Sequence, residues 1–127
     1  MSPLVIQPTE HTPSIVLDKD MEIFEITSRS LPENAIEFYK PVIDWLNEYA
    51  LAPNKETPFS FNLEYYNTAS SKQIAKVLLI LEKIQLQKSS QVRIIWNYSE
   101  DDLDMLHSGK RYEKLLNIPF EFIANNS

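Results

Sequence analysis

Strand-like and helix-like patterns alternate along this chain from residue 21 onward, and this alternation restricts the possible folds more than any other feature. Residues 59–66 show it most clearly, because Phe59, Phe61, Leu63 and Tyr65 fall on one side of a strand. Further strands are predicted at residues 21–27, 91–98 and 119–124. Strands separated by helices usually pair in parallel through right-handed crossovers, so the pattern indicates an α/β domain.

The intervening segments have helical spacing of apolar residues. One helix is predicted to open at residues 30–33, with an apolar face of Ile36, Tyr39, Ile43, Leu46 and Ala50. Pro41 lies inside it and is expected to kink or divide it. The second helix is expected from residue 70 to about 87, and the third from about 100 to 116 with a weak point at Gly109.

The predicted strands are polar on one side, through Ser60, Asn62 and Glu64 in one strand and Arg93 and Asn97 in another. A sheet with helices on both faces would be apolar on both sides, so the helices should lie mainly on one face. Short strands at residues 4–7 and 14–17 precede these elements. We therefore predict a single domain over residues 1–127, with a two-layer mixed sheet and an antiparallel N-terminal part.

Composition excludes several classes of function. The formal net charge is −6, and the basic residues are scattered, so nucleic-acid binding is not expected. Gly109 is the single glycine, which excludes phosphate-binding motifs built on glycine. Cysteine is absent, and neither a signal peptide nor a segment long enough to span a bilayer is predicted. A cytoplasmic protein without direct membrane insertion is the expectation.

Three segments should meet at the carboxyl edge of the parallel strands, where α/β proteins tend to place their sites. The candidate residues of the first segment are Arg29, Ser30, Glu33 and Asn34. Those of the second are Asn67, Thr68, Ala69, Ser70, Ser71 and Lys72. Those of the third are Glu100, Asp101, Asp102 and Asp104.

The second segment is typical of a helix start, where the side chain of Asn67, Thr68 or Ser70 would cap free backbone amides. Lys72 does not fit this interpretation well, because a cation in the first turn opposes the helix dipole. An anion at the helix start would reverse that effect. A phosphorylated threonine would supply such an anion covalently.

The third segment also allows two interpretations. Acids in the first turn of a helix complement its dipole. Alternatively, Asp101, Asp102 and Asp104 could bind Mg²⁺ in an enzyme, with Lys72 or Arg29 holding an anionic substrate. Neither histidine lies in the three segments, so such an enzyme has no obvious general base. A purely structural oligomerisation module is a third hypothesis. Trp45 and Trp96 are assigned to packing.

The chain resembles the SiaC-like family of bacterial regulatory phosphoproteins in motifs that cover nearly its whole length. These motifs are TPSIVLD, RSLPENAIEFYKPVIDWLNEY, FNLEYYNTASSK, EDDLDML and PFEF. The resemblance implies a fold similar to STAS domains, which agrees with the one-sided α/β sheet. Two features depart from the family pattern: Ser28 stands where glycine is common, and HSGKRYE is more basic than usual.

The resemblance also implies a function. The family's phosphorylation site falls on Thr68, in a partner-switching cycle with no cofactor and no catalytic residue in this chain. A serine/threonine kinase of the histidine-kinase-like ATPase fold adds the phosphate, and a PP2C-type phosphatase removes it. The unphosphorylated form binds and activates a diguanylate cyclase, in cyclic-di-GMP signalling and biofilm regulation. Whether Ser70 or Ser71 is also modified stays open at this point.

Overall fold

The structure, a computed structural model, describes residues 1–126. Its helices and strands, in chain order, are β1 (Leu4–Ile6), β2 (Ser14–Asp18), β3 (Ile23–Ser30), α1 (Ala35–Tyr49), β4 (Glu56–Tyr66), α2 (Thr68–Leu86), β5 (Gln91–Ser99), α3 (Leu103–Leu115) and β6 (Phe120–Asn125).

All six strands form one mixed sheet whose spatial order is the same as the chain order. The pairs β1–β2 and β2–β3 are antiparallel, and the pairs from β3 to β6 are parallel. Successive right-handed crossovers that advance in one direction place α1, α2 and α3 on the same face of the sheet. The predicted two-layer α/β architecture with an antiparallel N-terminal part is therefore confirmed, and it is compatible with the STAS-like comparison.

The hydrophobic core lies between the sheet and the helices. Phe59, Phe61 and Leu63 of β4 are buried, as are Val92, Ile94 and Trp96 of β5. The predicted apolar face of α2 is confirmed, since Ile74, Val77, Leu78, Leu81 and Ile84 are all fully buried. The polar residues of β4 and β5 lie on the uncovered face, as predicted, and there Asn97 donates hydrogen bonds to Ser60 Oγ and to the carbonyl oxygen of Phe61.

Helix α1 differs from its prediction at its start and in its buried face. It begins at Ala35, after the cap Asn34, because β3 continues through Ser30. It runs unbroken past Pro41, so of the two expected effects of Pro41, a kink or a division, the division does not occur. Its buried face is Ala35, Tyr39, Val42, Trp45, Leu46 and Tyr49, whereas Ile36 is exposed. The buried stripe therefore shares Tyr39 and Leu46 with the prediction but is rotated toward Val42, Trp45 and Tyr49.

The expected weak point at Gly109 was also wrong, because α3 is continuous through it. Gly109 is buried, and a Cβ built there would lie 2.6 Å from Cδ1 of Trp96 and 2.8 Å from Cε1 of Phe122. Glycine is needed here for the close approach of α3 to the sheet.

A bulge near the end of β4 changes which side chains face the helices. Ser28 pairs with Leu63 and Arg29 pairs with Tyr65, so Glu64 is the extra residue. The alternation predicted for residues 59–66 consequently fails after Leu63. Tyr65 is 52% exposed rather than buried, while the ring of Tyr66 packs edge-on against Trp96. The bulge thus aims Tyr66 toward the helix layer.

Within residues 1–126, no helix is both long enough and apolar enough to cross a membrane.

Candidate functional site

The first two predicted segments meet at the carboxyl edge of the sheet. Ser30 and Tyr66 are paired residues at the ends of β3 and β4. The backbone amide of Asn67 donates to the carbonyl oxygen of Ser30 at 3.1 Å, which extends this pairing by one residue. The start of α2 is therefore held directly against the end of β3.

Asn67 caps α2. Its Oδ1 accepts a hydrogen bond from the amide of Ser70 at 2.9 Å, so among the three possible caps the structure selects Asn67. Thr68 is the first helical residue, and its side chain is exposed. Within the described residues, the hydroxyl of Thr68 forms no hydrogen bond. Thr68 is thus an accessible hydroxyl at a helix N-terminus.

Ser70 has a different environment, because its side chain is completely buried. Its Oγ donates to the carbonyl oxygen of Ser30 at 3.0 Å and accepts from Ser30 Oγ at 2.8 Å. Ser30 Oγ also lies 2.7 Å from the hydroxyl of Tyr39, whose pKa burial raises to about 12. This network joins β3, α1 and α2. The expectation that Ser30 and Ser70 contact a partner is therefore corrected, since both side chains are inside the protein.

The remaining residues of the second segment lie at the surface to different degrees. Ala69 and Lys72 are exposed, and Lys72 forms no ion pair within residues 1–126. Ser71 is half-buried, and its Oγ donates to the carbonyl oxygen of Thr68 at 2.7 Å. The hydroxyl of Ser71 is therefore engaged in the helix's own first turn.

A cleft of about 420 Å³ opens beside Thr68, between the start of α2 and one side of α3. Its lining residues are Tyr66, Asn67, Thr68, Ser71, Ser108, Arg111, Tyr112 and Leu115. The hydroxyl of Tyr112 donates to the carbonyl oxygen of Ser71 at 2.9 Å and bridges the two helices. Burial and the neighbouring Tyr66 raise the pKa of Tyr112 well above its usual range, so this hydroxyl keeps its proton.

Sequence reasoning missed the wall of this cleft that α3 supplies, namely Ser108, Arg111, Tyr112 and Leu115. Their spacing of three, one and three residues places them on one face of a helix. That spacing was a detectable signal, although only the fold shows that this face looks toward Thr68. Lys72, which the sequence suggested as the cation for an anion, does not line the cleft.

The acidic segment lies next to this cleft. Asp102 caps α3, with Oδ1 accepting from the amide of Met105 at 3.0 Å, and Asp104 lies in the first turn. Both residues therefore complement the helix dipole, as the simpler interpretation predicted. Together with Glu64 they line a second, smaller cavity of about 180 Å³, which shares Tyr66 and Ser108 with the first.

Glu100 and Asp101 are exposed in the turn before α3. Within the described part of the chain, no group of three or more His, Cys, Asp or Glu side chains is placed to hold a metal ion. Asp101, Asp102 and Asp104 are thus not placed together as such a group.

At the first segment, Arg29 and Glu33 are exposed. Asn34 is also exposed and caps α1, since its Oδ1 accepts from the amide of Glu37 at 3.1 Å. The exposed surface of the edge therefore combines carboxylates with apolar side chains, because Leu103 and Leu115 are 57% and 80% exposed.

Comparison with known proteins gives a consistent result across the chain. An uncharacterised protein of Pseudomonas aeruginosa (strain UCBPP-PA14) is 27% identical over 126 residues, which is 99% of each chain. The crystal structure of apo-SiaC from Pseudomonas aeruginosa superposes with a TM-score of 0.90 at 27% identity, covering 98% of this chain and 100% of the other.

A chain in the crystal structure of the diguanylate cyclase SiaD in complex with its activator SiaC, also from Pseudomonas aeruginosa, gives a TM-score of 0.84. It is 25% identical and covers 96% of this chain and 99% of that one. The model of the SiaC family of regulatory phosphoproteins matches residues 6–125. The chain therefore belongs to the SiaC family of regulatory phosphoproteins.

Proposed function

We propose that this chain is a non-enzymatic cytoplasmic signalling protein that is switched by phosphorylation of Thr68. In its unphosphorylated state it binds and activates a diguanylate cyclase, and so controls cyclic-di-GMP and biofilm formation. A serine/threonine kinase of the histidine-kinase-like ATPase fold transfers the phosphoryl group, and a PP2C-type phosphatase removes it.

The observation that carries the proposal is the free, exposed hydroxyl of Thr68 in a chain that belongs to a family of regulatory phosphoproteins. The neighbouring hydroxyls are less suitable acceptors. Ser70 is completely buried, and Ser71 is hydrogen-bonded to the backbone of its own helix. A kinase can therefore reach Thr68 without unfolding the start of α2.

The likeness to the SiaC chain that is bound to a diguanylate cyclase supports the choice of partner. We place the partner surface at the carboxyl edge, on the exposed and half-buried residues around Thr68 (Arg29, Glu33, Asn34, Asn67, Ala69, Ser71, Lys72, Glu100, Asp101, Asp102 and Asp104). This surface already carries several carboxylates and apolar side chains. A phosphate there adds roughly −1.5 to −2 charges near neutral pH.

An interface formed without phosphate would have to accommodate this hydrated dianion. Burying a charge without a partner costs several kcal/mol, and about 1.4 kcal/mol corresponds to tenfold in affinity. The phosphate should therefore dissociate the complex with the cyclase, whereas it leaves the fold of this domain intact because it is added at the surface.

Phosphoacceptor identity is tested by intact-mass measurement after incubation with the cognate kinase and ATP. Wild type and Ser71→Ala should each gain one phosphate, and Thr68→Ala should gain essentially none. Normal phosphorylation of Thr68→Ala would reject the assignment.

Switching is tested by titration calorimetry against the purified diguanylate cyclase of the same host. Thr68→Ala should bind like wild type, whereas Thr68→Glu should bind at least about tenfold more weakly. Thr68→Gln is the matched control, because it has the size of glutamate without its charge. Equal affinities for the Ala, Gln, Glu and phosphorylated forms would exclude this switch.

A further inference from the structure

The cleft beside Thr68 is positively charged, although the protein as a whole is acidic. Arg111 is the one charged residue among those that line it, and the described lining contains no carboxylate. The positive end of α2 also opens into this space, since Thr68 and Asn67 belong to the lining. The cleft is therefore suited to an anion.

Arg111 is available to bind one. Within residues 1–126 it forms no ion pair, and its guanidinium donates to the neutral Oγ of Ser108 at 3.0 Å. A guanidinium has five N–H donors in a planar fork that matches phosphate oxygens. Most of the donor capacity of Arg111 is therefore not used by the folded chain itself.

The position of Arg111 relative to Thr68 is held by its neighbour in sequence. Tyr112 is bonded through its hydroxyl to the carbonyl oxygen of Ser71, and its ring packs against Trp96 with centroids 5.8 Å apart. This contact fixes α3 against the first turn of α2. Helices α2 and α3, which carry Thr68 and Arg111, are thus held together next to these two residues.

The adjacent acidic cavity influences toward which side a phosphate on Thr68 would turn. Glu64, Asp102 and Asp104 line that cavity, and it shares Tyr66 and Ser108 with the cleft of Arg111. A dianion on Thr68 is repelled from these carboxylates and attracted by the guanidinium. Lys72 lies outside both linings, so it is not the principal cation for this anion.

We propose that this cleft is an intramolecular phosphate-binding site in which Arg111 receives the phosphate of phosphothreonine 68. The proposal rests on the proposed function, because the ligand is the product of that modification. On phosphorylation, Arg111 exchanges its bond to Ser108 for a charge-assisted pair with the phosphate, which then occupies part of the open cleft. Phosphorylation then changes the shape of this surface as well as its charge.

The test uses full-length protein in which phosphothreonine is installed at position 68 during translation, so that it does not depend on any kinase. The readout is the ³¹P NMR titration of the phosphate, whose second ionisation normally falls near pH 6. A guanidinium beside the phosphate favours the dianion, so the midpoint in wild type should lie about half a pH unit or more below that of Arg111→Ala.

Matched variants identify the cation. Lys114→Ala removes an exposed cation of the same helix and should titrate like wild type. Lys72→Ala removes a cation four residues from Thr68 on α2 and should shift the midpoint less than Arg111→Ala does. Arg111→Gln keeps a hydrogen-bond donor without the charge and should titrate like Arg111→Ala, which also guards against a folding defect in the alanine variant.

An unchanged titration in both Arg111 variants would overturn the proposal, as would a larger shift in Lys72→Ala than in Arg111→Ala. Failure of the cognate kinase to modify Thr68 would reject the proposed function and leave this result untouched, so the two failures are distinguishable.

Discussion

Tyr112 donates its hydroxyl hydrogen to the carbonyl oxygen of Ser71 across 2.9 Å, and this bond joins α3 to the first turn of α2. It is the point at which the two walls of the Thr68 cleft meet. Removing it should therefore weaken the attachment of α3 and loosen the cleft, without disturbing the core.

Tyr112→Phe should lower the free energy of unfolding by about 1 kcal/mol, the usual net contribution of one hydrogen bond. Urea unfolding followed by circular dichroism measures this. Tyr65→Phe is the control, since Tyr65 is 52% exposed and its change should have little effect. Equal stabilities of the two variants would show that the Ser71 bond contributes nothing.

Ser70→Ala should destabilise the domain by about 1–3 kcal/mol, because it removes two buried hydrogen bonds to Ser30. The carbonyl oxygen of Ser30 then keeps only the amide of Asn67, and the Oγ of Ser30 keeps only Tyr39. Ser71→Ala removes a hydroxyl that bonds only within its own first helical turn, and its effect should be less than about 0.5 kcal/mol. Denaturant unfolding of the pair distinguishes a structural serine from a surface serine. A larger loss of stability in Ser71→Ala than in Ser70→Ala would contradict the assignment of Ser70 as the structural serine.

Gly109→Ala should destabilise the domain by about 1–3 kcal/mol through overpacking. The added Cβ would meet the ring of Trp96 at 2.6 Å, and this strain opposes the gain of about 1 kcal/mol in helix propensity. Thermal unfolding of Gly109→Ala beside His107→Ala tests the point, because His107 is exposed on the same helix. A more stable Gly109→Ala protein would mean that the helix moves away easily.

Ser28→Gly should stabilise the domain by about 1 kcal/mol. Ser28 has φ 84, a left-handed conformation that is strained for a residue with a Cβ. Glycine relieves that strain, although it also increases the entropy of the unfolded chain. Thr27→Gly, at a neighbouring strand position outside the left-handed region, should instead destabilise. A loss of stability in Ser28→Gly would contradict the reasoning.

Stability should fall above pH 10 because Tyr39 titrates later in the folded protein. Burial raises the pKa of Tyr39 from 10.0 to about 12, so the unfolded chain binds fewer protons than the folded one in this window. The contribution of Tyr39 to the free energy of unfolding is complete below pH 10 and decreases by about 1.4 kcal/mol per pH unit above pH 10. Urea unfolding at a series of pH values between 9 and 11 gives the free energy of unfolding at each pH. This free energy should fall less steeply with pH for Tyr39→Phe than for wild type, and an equal pH dependence would refute the prediction.

Periodicity predicted most of the architecture. The apolar spacing of α2 and the polar side of β4 were enough to establish a one-sided α/β sheet, since both patterns report directly which side is buried. The start of α1 was harder to predict, because "SRSLPEN" contains several possible caps and two of them, Ser28 and Ser30, belong to the strand β3. Asn34 becomes the cap only once Ser30 is buried in the sheet.

The candidate site was predicted in part, for a similar reason. Local spacing marks residues 67–72 as a helix start, but it left Asn67, Thr68 and Ser70 as alternative caps, and Thr68 was singled out only through the resemblance to the SiaC-like family. The bulge at Glu64 and the inward turn of Tyr66 depend on pairing with β3 and cannot be read from β4 alone. Arg111 lies far from Thr68 in the chain, and only the packing of α3 brings it to the cleft.

Each strand of the sheet pairs only with the strands immediately before and after it in the chain. The sheet can therefore be assembled in the order in which a ribosome delivers it, at about 5–20 residues per second, and no strand waits for a distant partner. The cleft can form only later, because its second wall belongs to α3, near the end of the chain. A nascent or truncated chain that ends after β5 can display Thr68, but it lacks the Arg111 wall against which a modified Thr68 would be held.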